Sequence, residues 1–126
     1  VSNTSSKKFD LEDRLVVYAG EVALFFEKLP KTFTCDYYGK QLVRSSGSTA
    51  LNFGEFQGTI SDKDYIHKIT LSIKELKESR VSLRVLRYIK AYDLAVLDNI
   101  LDETEQIIAI FSKIVINRQN KMNSKP

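Results

Sequence analysis

An all-α four-helix bundle is the fold this sequence predicts, and three observations carry it. Apolar residues recur at alternating steps of four and three through four separate segments. Two prolines and five glycines are too few for an all-β chain, which would need many tight turns. Helix-ending and helix-starting residues fall between the segments, leaving only short connections. Short connections make neighbouring helices antiparallel, in up-down-up-down order. The heptad spacing predicts a left-handed crossing near about +20°.

The first helix is expected from Leu11 to Leu29, with the seam Leu11, Leu15, Tyr18, Val22, Phe25 and Leu29. Asp10 is its candidate N-cap, and Pro30 stops it because the ring cannot continue the hydrogen-bond ladder. The second begins near Thr34 to Asp36 and runs to Gln57, with the seam Tyr38, Leu42, Ser45, Thr49, Asn52 and Phe56 and Gly58 as its end. Its middle is rich in small residues. Gly47 and Gly54 each cost about 1 kcal/mol of helix propensity relative to Ala, so close packing there is the expected compensation. Ser61 and Asp64 form a capping pair for the third helix, which runs to about Tyr88 along Tyr65, Ile69, Ser72, Leu76, Ser79, Leu83 and Leu86. Asp93 caps the fourth, whose seam is Leu97, Leu101, Thr104, Ile108, Phe111 and Val115. One domain, 10–117, is therefore expected between a polar tail, 1–9, and a basic tail, 118–126, that frays.

Composition narrows the class. The chain has 126 residues, 43% apolar and 28% charged, which suits a soluble single domain. No apolar run reaches the roughly 20 residues that cross a bilayer, so no membrane contact is expected. The polar start does not read as a signal peptide, and one cysteine, Cys35, cannot form an internal disulfide. Both point to the cytoplasm. Cys35 reads as a small residue at a helix start, since no partner base is near it in sequence.

Extra apolar residues flank two seams: Val16, Val17, Ala23 and Phe26 on the first helix, and Ile100, Ile107, Ile110, Ile114 and Ile116 on the fourth. A stripe this wide suits either a deeply buried helix or a second contact face between subunits.

The search for catalytic chemistry returns little. The single histidine, His67, rules out a His-rich metal site, and no phosphate loop or nucleophile elbow occurs. Neither a catalytic residue, a metal nor a cofactor is expected. Asn52 with Glu55, and Ser72 with Glu75, are three apart and share helix faces. They read as an interhelical polar cluster that fixes register, with acid–base or metal work as the alternative. The clearest charge feature is a basic stripe, Lys77, Arg80, Arg84 and Arg87, spaced 3, 4, 3. It reads either as a solvated helix end matched to the macrodipole or as a contact for nucleic-acid phosphates. The net charge of +3 is mild for a dedicated nucleic-acid binder.

The run Gln41-Leu-Val-Arg44-Ser-Ser-Gly-Ser48-Thr-Ala-Leu-Asn52-Phe-Gly-Glu55, followed by Ser72-Ile-Lys-Glu75-Leu76, resembles a bacterial four-helix-bundle family. Its members include proteins encoded in 23S ribosomal RNA intervening sequences and the accessory variability proteins of diversity-generating retroelements. Arg44, Ser48, Asn52, Glu55, Ser72, Glu75 and Leu76 match its pattern in order and spacing, while Phe53-Gly54 stands where Ile-Ala is usual. The resemblance implies a non-enzymatic homo-oligomer, commonly a ring-like pentamer. For the accessory branch it also implies contact with a reverse transcriptase and with nucleic acid.

The expectation is thus an oligomeric bundle whose basic surface meets RNA or DNA without sequence specificity, through Lys77, Arg80, Arg84 and Arg87, with Arg44 and Lys40 also in reach. The alternative is a protein–protein scaffold with no nucleic-acid role. An enzyme built on a di-metal bundle would need Glu-x-x-His repeats, and Asp64 with His67 is only an acidic imitation of one.

Overall fold

The computed structural model describes residues 10–59 and 61–124. It is a four-helix bundle: α1 (Asp10–Lys28), α2 (Phe33–Phe53), α3 (Asp62–Tyr88) and α4 (Leu94–Asn123), with a 3-10 turn at Gly54–Gly58. There is no strand among the described residues. Each helix packs on its neighbours in sequence, and α1 closes the bundle loosely against α4. The expected N-terminal tail lies outside the described residues.

Local chemistry sets the boundaries. Thr32 caps α2 by accepting from the Cys35 amide at 3.1 Å, so that helix starts slightly earlier than expected. Ser61 accepts from the Asp64 amide at 3.1 Å. Asp93 accepts from the Ala95 and Val96 amides at 2.8 and 3.2 Å. All three satisfy orphan donors of a first turn. Asp10 is the first helical residue of α1 rather than its cap. At the end of α3, Lys90 takes the left-handed backbone at φ 54°. Its amide bonds Arg87 O and the Ala91 amide bonds Leu86 O, the paired bonds of a Schellman motif.

The expected seams of α1, α3 and α4 face the core, where Leu15, Val22, Leu76, Leu83, Leu97 and Phe111 are buried. The seam of α2 departs near its end. Thr49 is followed inward by Phe53 and then Phe56, and Asn52 points to solvent. In a 3-10 turn residues three apart eclipse one another. The tightened turn thus helps bring Phe56 beneath Phe53. Both rings reach Phe111, at 6.2 and 6.4 Å between centroids.

Two further expectations change. The fourth helix does not fray after Asn117 but continues to Asn123. Arg118 anchors that end by donating to Asp62 at 2.8 Å and stacking 3.8 Å from the Tyr65 ring centroid. The close backbone approach lies at Gly39 instead of Gly47 or Gly54. A Cβ on Gly39 would stand 2.6 Å from Phe26 Cε1 and 3.2 Å from Leu29 Cδ1, whereas Gly47 and Gly54 face open space.

The interior is not wholly apolar. Tyr18 Oη and Thr104 Oγ1 lie 2.7 Å apart, and Ser45 Oγ and Ser79 Oγ 2.5 Å apart, all buried. Each helix supplies one hydroxyl to this layer. A buried hydroxyl without a partner costs about 1–3 kcal/mol, so the layer favours the one register that pairs all four.

Candidate interaction surfaces

The basic stripe runs along α3, but its members are not equivalent. Arg80 donates to Glu105 on α4 at 2.9 Å, and its Nε is buried without a hydrogen-bond partner among the described residues. Arg87 holds Asp98 at 2.5 and 3.3 Å. Both guanidinium groups therefore face α4 carboxylates. The hydrogen bond from Arg87 keeps the Asp98 carboxyl below its ordinary pKa and raises that of Arg87. Lys77 and Arg84 remain exposed, with no ion pair among the described residues.

Arg44 and Lys40 on α2 are also engaged. Arg44 reaches across to α3, donating to Glu78 at 2.6 Å and Glu75 at 3.1 Å. Its pKa is raised, chiefly by the bond to Glu78. Lys40 pairs with Asp36 one turn earlier on its own helix at 3.0 Å. Exposed pairs like these contribute about 0–1 kcal/mol each. Their larger effect is on the field, because a carboxylate beside each guanidinium cancels most of the potential a phosphate would meet.

The residues expected to form an interhelical polar cluster line one cleft instead. Asn52, Glu55, Ser72 and Glu75 surround a space of about 330 Å³ together with His67 and Lys68. Asn52 is exposed and donates to Ser48 of its own helix at 3.1 Å, and Glu55 is exposed as well. Ser72 is buried, and Glu75 is the member that bridges two helices, through Arg44. The buried hydroxyl pairs that cross between helices are Tyr18 with Thr104 and Ser45 with Ser79. Each of these stands on a seam legible in the sequence, but the pairing among them is not. No group of three His, Cys, Asp or Glu side chains converges as metal ligands among the described residues. Cys35 is buried in the first turn of α2, as its place in the sequence suggests.

Two grooves escape a reading by residue type. The first lies between α2 and α3, has a volume of about 690 Å³, and is walled by Tyr37, Tyr38, Ile73 and Val81 with Lys74 and Lys77 along it. Phe33 stacks on Tyr37 at 6.4 Å and is 86% exposed, extending the aromatic rim. The second lies between α1 and α4, about 350 Å³, beside Glu21, Leu24, Tyr92, Val96 and Asn99. Val17 and Leu24 on that side are 62% and 61% exposed. The flanking apolar residues of the sequence thus divide. Ile100 and Ile107 are buried, while Val16, Val17 and Ile116 are exposed.

This bundle has a solved counterpart. A protein of unknown function from the S23 ribosomal protein family of Bacteroides thetaiotaomicron matches it with a TM-score of 0.75. The two are 21% identical, over 82% of this chain and 96% of that one. The likeness establishes the fold. Neither a protein-family model nor a curated protein matches the chain. No helix among the described residues is long and apolar enough to cross a membrane.

Proposed function

We propose that this chain is a non-enzymatic, cytoplasmic assembly module: an antiparallel, up-down-up-down four-helix bundle with left-handed crossing, associating with copies of itself. The antiparallel order is supported by cross-helix pairs that run in opposite directions along α3 and α4: Arg87 with Asp98, Arg80 with Glu105, Asp62 with Arg118. One observation carries the assembly reading over a nucleic-acid one. Arg44, Arg80 and Arg87 are held by carboxylates, while apolar groove walls at Tyr37, Val81, Val17 and Leu24 are uncovered. Apolar and aromatic surface of this kind is what subunit contacts bury. A ring, commonly of five copies, is what the family resemblance adds.

A second reading, RNA or DNA contact, is favoured by Lys74, Lys77 and Arg84, cations with no ion pair among the described residues, and by the solved counterpart's ribosomal-protein family. One experiment separates the two. Filter binding to RNA and to DNA over a salt series is run beside sedimentation of the same sample. The assembly reading expects a multimer with weak or no retention. A monomer that retains nucleic acid at low salt, with affinity falling steeply as salt rises, would overturn it.

A further inference from the structure

We infer that the two exposed grooves are the two halves of one contact, the α2–α3 groove of one copy receiving the α1–α4 face of the next. This inference rests on the assembly reading above and names its interface.

Three observations meet here. First, the grooves lie on opposite sides of the bundle. Helices α2 and α3 pack together, α1 and α4 close the other side, and each pair borders one groove. A contact between different surfaces is heterologous and propagates from copy to copy, closing into a ring when the rotation permits. Second, the dimensions agree. The α3 wall from Thr70 to Ser82 spans about 18 Å, and the α1 edge from Val17 to Lys28 about 17 Å, at 1.5 Å per helical residue.

Third, the unpaired charges are complementary. In the α2–α3 groove the carboxylate of Glu78 is taken by Arg44, which leaves Lys74 and Lys77 without acidic partners among the described residues. On the α1–α4 side two acids line the groove; Glu103 is taken by Arg14, and Glu21 has no ion pair among the described residues, with Lys28 the cation at the far end. Val17 and Leu24 stand one turn to either side of Glu21, so an apolar pair flanks the charge. Opposite them, Tyr37, Tyr38, Ile73 and Val81 provide apolar walls around two ammonium groups. Tyrosine brings large contact area with little lost rotamer freedom, and suits such a wall.

Charge exchange tests this. The variants are Glu21→Lys, Lys74→Glu with Lys77→Glu, and all three changes in one chain. Each is checked by circular dichroism for unchanged helix content and then weighed by light scattering. Either reversal alone should weaken association about tenfold or more, because like charges then face each other. The triple variant should reassemble. If the unaltered chain is a multimer but both reversals leave its mass unchanged, this interface is wrong while the assembly reading survives. A folded triple variant that stays monomeric also overturns the pairing. A monomeric unaltered chain overturns both, and assigns the grooves to a partner of other chemistry.

Discussion

Tyr18 Oη stands 2.7 Å from Thr104 Oγ1, and the direction of that bond is determined by a third atom. Thr104 donates its only hydroxyl proton to the Ile100 carbonyl at 2.8 Å, so Tyr18 must be the donor. Burial of the Tyr18 phenol raises its pKa, with the bonds to Thr104 and Ser79 opposing. The two partners should respond unequally to deletion. Tyr18→Phe removes the donor and leaves Thr104 bonded to Ile100, costing about 1 kcal/mol. Thr104→Val takes the Thr104 acceptor from a buried phenol, leaving it Ser79, and should cost more, about 1–3 kcal/mol. Urea unfolding of both variants checks the order. Equal costs would mean that Ser79 alone satisfies the phenol.

Gly39 and Gly47 make opposite predictions within one helix. Gly39→Ala gains helix propensity but drives a methyl into Phe26 and Leu29, and should lose about 1–3 kcal/mol net. Gly47→Ala meets nothing and should gain up to about 1 kcal/mol. Thermal midpoints that move in opposite directions are the expected result.

Lys90 holds a left-handed conformation that costs a residue with a Cβ about 1–2 kcal/mol. Glycine adopts it freely but loses more entropy on folding. Lys90→Gly should therefore raise stability modestly, by up to about 1 kcal/mol, without changing helix content. Lower stability would show that the Lys90 side chain contributes something the backbone argument omits.

The Arg87–Asp98 pair sets a pH dependence of known sign. A carboxyl whose folded pKa lies below its unfolded one stabilises above the unfolded value, and that contribution is lost as pH falls through the folded value. Asp98 is such a group. Asp98→Asn should be slightly less stable than the parent at neutral pH, and the difference should vanish on acidification. The carbon NMR titration of Asp98 should have a midpoint below the ordinary aspartate range. It should move back up in Arg87→Gln. A midpoint that does not move would remove the pair from the account.

The helices were legible in the sequence because each combines a seam with a cap that local chemistry specifies, as at Ser61 and Asp93. The seam erred where local and tertiary demands diverge. Extending the heptad through Thr49 places Asn52 inside, but one full helical step of four from Thr49 leads to Phe53, whose ring lies against Phe111, and Asn52 beside it faces solvent. The end of α4 was misjudged because Arg118 and Asp62, which anchor it, are 56 residues apart. The basic stripe lies along α3. Its chemistry depends on Asp98 and Glu105, which lie on another helix, and no spacing rule within α3 reveals them. The grooves belong to pairs of helices, so no single segment announces them.

The mass of the full chain in solution tests the central claim most directly. Light scattering over a concentration series from low micromolar upward should give a multiple of 14.4 kDa for the unaltered chain, and for the folded variant carrying Lys74→Glu and Lys77→Glu the same rise in mass shifted to about tenfold or more higher concentration. A mass of 14.4 kDa for the unaltered chain at every concentration would contradict the claim that this bundle is built to assemble.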